Sequence, residues 1–195
     1  MIPSVPDVVP AGRMAATTQP VLVLGSGTLL RPWREGDAEV IVEAAVDPEI
    51  QRWNRPGKDV SLADARERVT RWTRSWAAET AAVWAVVPPG DERPVGLVGC
   101  GDLVLRAGSG EIAYWLLPAA RGRGFVGEAV VRVGRWALEE LGLHRLRLTH
   151  SVHNPASCRV AEKAGFVLEG TMRSALLHAD GWHDEHLHGL VGAGG

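Results

Sequence analysis

Cysteine, tyrosine and net charge are all scarce in this chain. Its 195 residues include two cysteines, Cys100 and Cys158, a single tyrosine, Tyr114, and a formal net charge of −2. The two cysteines form no metal or redox spacing, so both are read as reduced thiols of a cytoplasmic protein. A near-neutral charge balance gives no electrostatic footprint for nucleic acid or for an anionic membrane. No apolar run approaches the roughly 18 residues that would span a bilayer. The opening MIPSVPDVVPAGRM has no basic region followed by an apolar block, which argues against a secretory signal.

What is present fits one ordinary domain. The length suits a single core with an arm, and apolar residues make up 46% of the chain. Residues 1–26 are rich in Pro, Ala, Thr and Val without periodicity, and read as a loosely ordered N-terminal arm that could cover a partner subunit. Residues 27–195 read as the domain. The spacing predicts a strand over Leu29–Trp33 and a helix over Asp37–Val46, stopped before Asp47-Pro48. Ser61 with Asp64 resembles a capping box, followed by an apolar stripe of Leu62, Ala65, Val69, Trp72 and Trp76. Strands are expected at Ala81–Val87, Val95–Arg106 and Glu111–Leu117, and a helix follows, ending at Gly142. A strand over Arg145–Val152 leads to Asn154-Pro155, a helix start whose helix ends at Gly165. Strands near Phe166–Leu177 and Glu185–Val191 flank an Asp180-Gly181 turn. The order β-α-α-β-β-β-α-β-α-β-β describes an α+β domain around a mixed sheet, without repeats. The eight tryptophans are read mainly as core, with ligand walls as the alternative.

The stretch Gly122-Arg123-Gly124-Phe125-Val126-Gly127 matches the G-x-G-x-x-G of dinucleotide-binding turns. Its surroundings argue against that use: Pro118-Ala-Ala-Arg121 separates it from its strand, and no carboxylate ends the next strand. The physics of the loop stands regardless. Glycines admit close backbone approach, and the first N–H groups of the following helix are unpaired, so together they can cradle an anion. A plain strand-to-helix turn is the alternative.

The runs Gly110-Glu-Ile-Ala-Tyr-Trp-Leu-Leu-Pro118, Arg121-Gly-Arg-Gly124, Asn154-Pro-Ala-Ser157 and Glu162-Lys-Ala-Gly-Phe166 resemble the GNAT acetyltransferase superfamily. Within it they resemble the Rim-type branch that acetylates protein N-termini. The resemblance spans about Leu29 to Val191, and the element order is also that superfamily's. It implies acetyl-CoA as co-substrate, with Arg121, Gly122, Arg123, Gly124, Phe125, Val126 and Gly127 forming the pyrophosphate loop. Val126 departs from the pattern by occupying its last small position. It also implies a bulge before the loop that splays neighbouring strands, with Leu116 and Leu117 offering backbone groups to pantetheine and one N–H polarising the thioester carbonyl. Asn154 would contact pantetheine, with ordinary helix capping as the alternative, and one residue could do both. The edge strands of such folds often pair, so a homodimer is an expectation.

The resemblance further implies direct attack of a primary amine on the thioester. That reaction needs a neutral amine, an oxyanion donor and a proton for the departing thiolate. An α-amine is neutral about one time in seven at pH 7, whereas a lysine is neutral only about once in 2,500. Ser157 is the candidate proton donor to the CoA sulfur, with ordinary capping chemistry as its alternative. Glu111 and His150 are candidate proton relays for the amine; a solvated strand-end charge and a satisfied core histidine are their respective alternatives. His178, His183, His186 and His188 look like a metal cluster, but a surface hairpin accounts for them, and no metal is expected. The acceptor would be a peptide N-terminus or a small-molecule or antibiotic amine. A donor with a larger acyl group such as succinyl, and a silent CoA-binding module, remain as rivals.

Overall fold

The computed structural model describes residues 5–57 and 59–193. Its central sheet has eight strands among the described residues: β1 (Leu22–Val23), β2 (Leu29–Pro32), β3 (Ala82–Val87), β4 (Gly96–Val104), β5 (Ser109–Leu116), β6 (Arg145–Ser151), β7 (Val167–His178) and β8 (Gly181–Val191). They lie in the order β1-β2-β3-β4-β5-β6-β8-β7. Every neighbouring pair is antiparallel except β5 with β6, which makes the sheet mixed, as the element order predicts.

Strand β3 shows why the sheet is covered on both sides. All six of its residues are buried, and alternation sends them to opposite faces. Ala82, Trp84 and Val86 join a core with Val130, Val133 and Trp136. Val83, Ala85 and Val87 join a second core with Val40, Ile41 and Val69. The first face is covered by helices α4 (Phe125–Arg135) and α5 (Pro155–Lys163), the second by α1 (Ala38–Val46) and α3 (Leu62–Ala77). A capping box opens α3: Ser61 N–H donates to Asp64 at 2.9 Å, and Asp64 N–H donates back to Ser61 Oγ at 3.1 Å. Past Arg135, α4 continues as a π-helical segment, Trp136–Leu141, ended by Gly142 at φ +91°.

The structure adds two elements to those expected from sequence. Asp47-Pro48 starts a helix as well as stopping one. Asp47 Oδ1 accepts from Ile50 N–H at 2.9 Å, with Pro48 in the first turn of α2 (Pro48–Asn54). Strand β1 forms within the segment read as an arm, and that segment is far from loose. Val9, Met14, Leu22 and Leu24 enter the first core. Glu79 accepts from the backbone N–H groups of Gly12, Met14 and Ala15 at 2.6–3.1 Å. The segment lacks periodicity because its apolar residues are inserted one at a time between turns, not because they stay in solvent. Residues 1–4 of the expected arm lie outside the described residues.

The tryptophans divide as the two readings allow. Trp33, Trp76, Trp84 and Trp136 are buried. Trp53 and Trp115 line a cavity.

Candidate active site

The cavity follows from one break in the sheet. Strands β5 and β6 pair only from Ser109↔Arg145 to Glu111↔Arg147, and then they diverge. Ile112–Leu116 on one side and Leu148–Ser151 on the other become walls of a cavity of about 750 Å³. The expected bulge beside Leu116 is not where the irregularity falls. From Glu111 to Leu116, β5 stays in register with β4, and the register shift lies between Gly101 and Val104. The gap therefore comes from divergence of the parallel pair.

The carbonyls of Tyr114 and Leu116 accept from side chains, Asn54 Nδ2 at 2.8 Å and Arg121 Nε at 3.1 Å. This edge of β5 thus faces away from β4. In an extended strand a residue's N–H shares the edge of its C=O, which puts the Leu116 N–H towards the gap. Leu117 is different: its N–H donates to Val95 O at 2.8 Å, so it cannot serve a ligand as expected.

The glycine loop opens α4 beside this gap. Gly122 (φ +75°) and Gly124 (φ +85°) are left-handed, and a Cβ at either would meet nothing within 4 Å. Gly127 has the same open space. Gly124 caps the helix without a side chain, leaving the first-turn amides free for an anion. Phe125 is buried in the core, so it offers the loop only its backbone. Arg123 stacks over the Phe125 ring at 4.8 Å. Arg121 pairs with Asp47, which ties the loop to α2 and makes its side chain a brace. Burial raises the Asp47 pKa, but the Arg121 hydrogen bond and the helix-start amides outweigh it and hold the carboxyl below its ordinary value.

At the start of α5, Asn154 Oδ1 accepts from Ser157 N–H at 3.1 Å, so the asparagine does cap. Ser157 also lines the cavity, and its Oγ lies 2.6 Å from Tyr114 Oη. Burial pushes the Tyr114 phenol up to about 12, so it remains protonated and can donate to Ser157. In the sequence Tyr114 stands out as the sole tyrosine and within the Gly110–Pro118 run, with no role attached to it. Its alternation with Ile112 and Leu116 on β5 could have placed it at the gap.

Of the two relay candidates, Glu111 is held by Arg147 Nε at 2.7 Å and Thr149 Oγ1 at 2.6 Å. It is a fixed carboxylate on the cavity wall. His150 has both ring nitrogens engaged. Nδ1 lies 2.9 Å from Ser151 O, and Nε2 lies 3.1 Å from His188 Nε2. Burial pushes both His150 and His188 below the usual histidine range. His150 is therefore aimed at another histidine, and its expected relay role loses its free nitrogen.

The other wall is built by residues that the sequence did not single out. Helix α2 brings Trp53 and Asn54 to the cavity, and β8 brings Glu185, whose carboxyl is pushed up by burial. Trp53 meets His178 of β7 edge-on at 5.9 Å, and His178 Nδ1–H donates to Arg52 O at 2.9 Å. The Asp47-Pro48 helix start was the available signal for α2.

The histidines group differently from their order in sequence. His178 stacks on His183 at 4.1 Å. His186 and His188, which share a face of β8 as expected, join His150 and Cys158.

An antiparallel sheet with one parallel pair that splays over a glycine-lined helix start defines an acyl-CoA-dependent N-acetyltransferase scaffold and leaves no place for a doubly wound dinucleotide site. Residues 28–167 match the model of the acetyltransferase (GNAT) domain, and the chain belongs to that family. It is similar to the uncharacterized N-acetyltransferase YoaA of Bacillus subtilis, 23% identical over 163 residues that cover 84% of this chain and 92% of that one. It is 31% identical over 81 residues to the ribosomal-protein-serine acetyltransferase of Escherichia coli, covering 42% and 45%. Its fold matches a structure of RimL, a ribosomal L7/L12 α-N-protein acetyltransferase in complex with coenzyme A, with a TM-score of 0.81 at 17% identity, covering 89% and 98%. No helix among the described residues is long and apolar enough to cross a membrane.

Proposed function

We propose that this N-acetyltransferase moves the acetyl group of acetyl-CoA to the α-amine of a peptide or protein N-terminus, by direct attack in a ternary complex. The observation that carries the acceptor reading is the composition of the cavity wall. Glu49, Glu111 and Glu185 line an open space of about 750 Å³ bounded by α2 and β7, together with the cations Arg55, Arg121, Arg159 and Lys163. Arg147 already pairs with Glu111 and Arg121 is held by Asp47, so Glu49 and Glu185 are the carboxyl groups left to receive an incoming ammonium group, and the open mouth suits an extended chain behind it. The name of the E. coli relative agrees with such an acceptor.

On this reading the amides of Gly122 to Gly127 take the pyrophosphate, and pantetheine lies in the gap beside β5. The Leu116 N–H polarises the thioester carbonyl as the amine attacks. Collapse of the tetrahedral adduct breaks the C–S bond; Ser157 gives the thiolate its proton and is replenished from Tyr114, and the proton shed by the amine nitrogen, carried by water, restores Tyr114. An α-amine needs no strong base, since about one in seven is neutral at pH 7.

The test is a serine-initiated peptide that also carries an internal lysine, incubated with acetyl-CoA and mapped by mass spectrometry. Acetylation of the α-amine is expected. Acetylation confined to lysine, or turnover only with small amines or with succinyl-CoA, would overturn the proposal.

A further inference from the structure

His150, Cys158, His186 and His188 arrive from three separate elements, β6, α5 and β8, and bring one ligand-type atom each close together, with the Cys158 thiol also donating to Glu162 Oε1 at 3.5 Å. Those four atoms lie within 4.8 Å of one another. His150 Nε2 and His188 Nε2 are 3.1 Å apart, and Cys158 Sγ is 4.0 Å from His188 Nε2. A tetrahedral zinc ion, with bonds of about 2.0–2.1 Å to nitrogen and about 2.3 Å to sulfur, requires edges of about 3.3 Å and 3.6 Å. The two closest of these contacts lie near those edges, and since no pair exceeds 4.8 Å, side-chain movements of up to about 1.5 Å draw the four atoms into a tetrahedron.

We propose that these four residues form a closed His3Cys site for a borderline-soft divalent metal of the zinc class. Three imidazoles and a thiolate exclude the oxygen-seeking ions magnesium and calcium. Four protein ligands leave no open position, so the site is structural.

Two further observations point to a ligand. A carbonyl oxygen can only accept, so the 2.9 Å contact with Ser151 O puts the His150 proton on Nδ1 and the lone pair on Nε2. That is the outer hydrogen bond by which metal-bound histidines are oriented. Between Nε2 of His150 and Nε2 of His188 there must then sit either a proton or a cation. His188 is fully buried, and its Nε2 faces both His150 Nε2 and Cys158 Sγ. A cation at that point takes up these lone pairs together, while the His188 Nδ1, on the outer side of the ring, keeps no hydrogen-bond partner.

The consequence reaches the reaction through Cys158, whose neighbour is Ser157. Coordination releases the Cys158 thiol proton to solvent and fastens α5 to β6 and β8, so the metal braces the helix that carries Ser157. The site does not depend on which amine the enzyme acetylates.

The test uses full-length, tag-free protein, stripped with chelator and titrated with zinc or cobalt(II). One metal per chain is expected. The cobalt form should show the intense visible bands of a tetrahedral site together with a thiolate-to-cobalt charge-transfer band, and zinc should raise Tm. Cys158→Ser should abolish the charge-transfer band, and His186→Gln should weaken binding at least 10-fold. Both residues are only half-buried, so the variants should keep the wild-type circular dichroism spectrum. His183→Gln, in the neighbouring stack, should bind as wild type does. Less than stoichiometric metal, a charge-transfer band that survives Cys158→Ser, or binding lost with His183 instead would each overturn the proposal. Acetyl-CoA binding, measured separately, distinguishes failure here from failure of the acetyltransferase reading.

Discussion

The donor side and the acceptor side of the cavity are built on different terms. The glycine loop and the β5 edge present backbone: left-handed glycines with open space where a Cβ would stand, the first amides of α4, and the Leu116 N–H. The opposite wall presents side chains, Trp53 and Asn54 from α2 and Glu185 from β8. On the proposed reading, backbone groups would recognise what every CoA thioester shares, its pyrophosphate and its carbonyl. Side chains would recognise what varies, the amine and whatever carries it. One ion pair, Asp47 with Arg121, joins the two halves by linking the first turn of α2 to the loop.

That division can be broken at chosen points. The largest effect is expected at the reacting atoms. Ser157→Ala should lower kcat about 100-fold, the low end of what a positioned proton donor contributes, with little change in acetyl-CoA affinity. Steady-state kinetics beside calorimetry checks this, and an unchanged kcat would reduce Ser157 to a helix residue. Asp47→Ala removes a helix cap and the tether to Arg121 together. A cap costs about 1 kcal/mol, so the Michaelis constants for donor and acceptor should both rise about fivefold. A rise in only one would show that the halves are independent. Trp53→Ala should touch one side alone, raising the acceptor Michaelis constant about threefold, as the loss of somewhat under 1 kcal/mol of aromatic contact implies.

The smallest effect lies outside the cavity, where Glu79 pins the N-terminal segment. Burial raises its pKa, but the three backbone N–H donors outweigh this and hold the carboxyl below its ordinary value. A depressed carboxylate pKa stabilises the fold above the ordinary carboxylate range, and that contribution is lost as pH falls through the depressed value. Glu79→Gln should therefore lower Tm by about 2–4 °C near neutral pH, for roughly 1 kcal/mol of charge-assisted hydrogen bonds. Thermal melts across pH should show the difference closing in acid.

The same division explains what could be read from the chain alone. The glycine loop, the Asn154-Pro155 helix start and the alternation of β6 are local patterns, and the structure has them where the sequence puts them. Helix α2 was just as local, yet Asp47-Pro48 was taken only as a stop, although an acidic cap followed by proline also starts helices. The divergence of β5 from β6 has no signature in either strand, because it is a relation between segments about 35 residues apart. The same holds for the engagement of His150 with His188, since it depends on the β6–β8 register, which aligns His150 with His186. The N-terminal segment hid its packing because single apolar residues between turns carry no period.

The central claim is that the glycine loop and the gap beside β5 form a cradle for acetyl-CoA. Calorimetric titration of acetyl-CoA into the wild type and Gly124→Glu tests it most directly, because the added side chain and its charge would enter the space left open at φ +85°. Micromolar binding to the wild type that disappears in the variant, with folding intact, is the predicted result. Binding indifferent to Gly124, or absent from the wild type, would contradict the account.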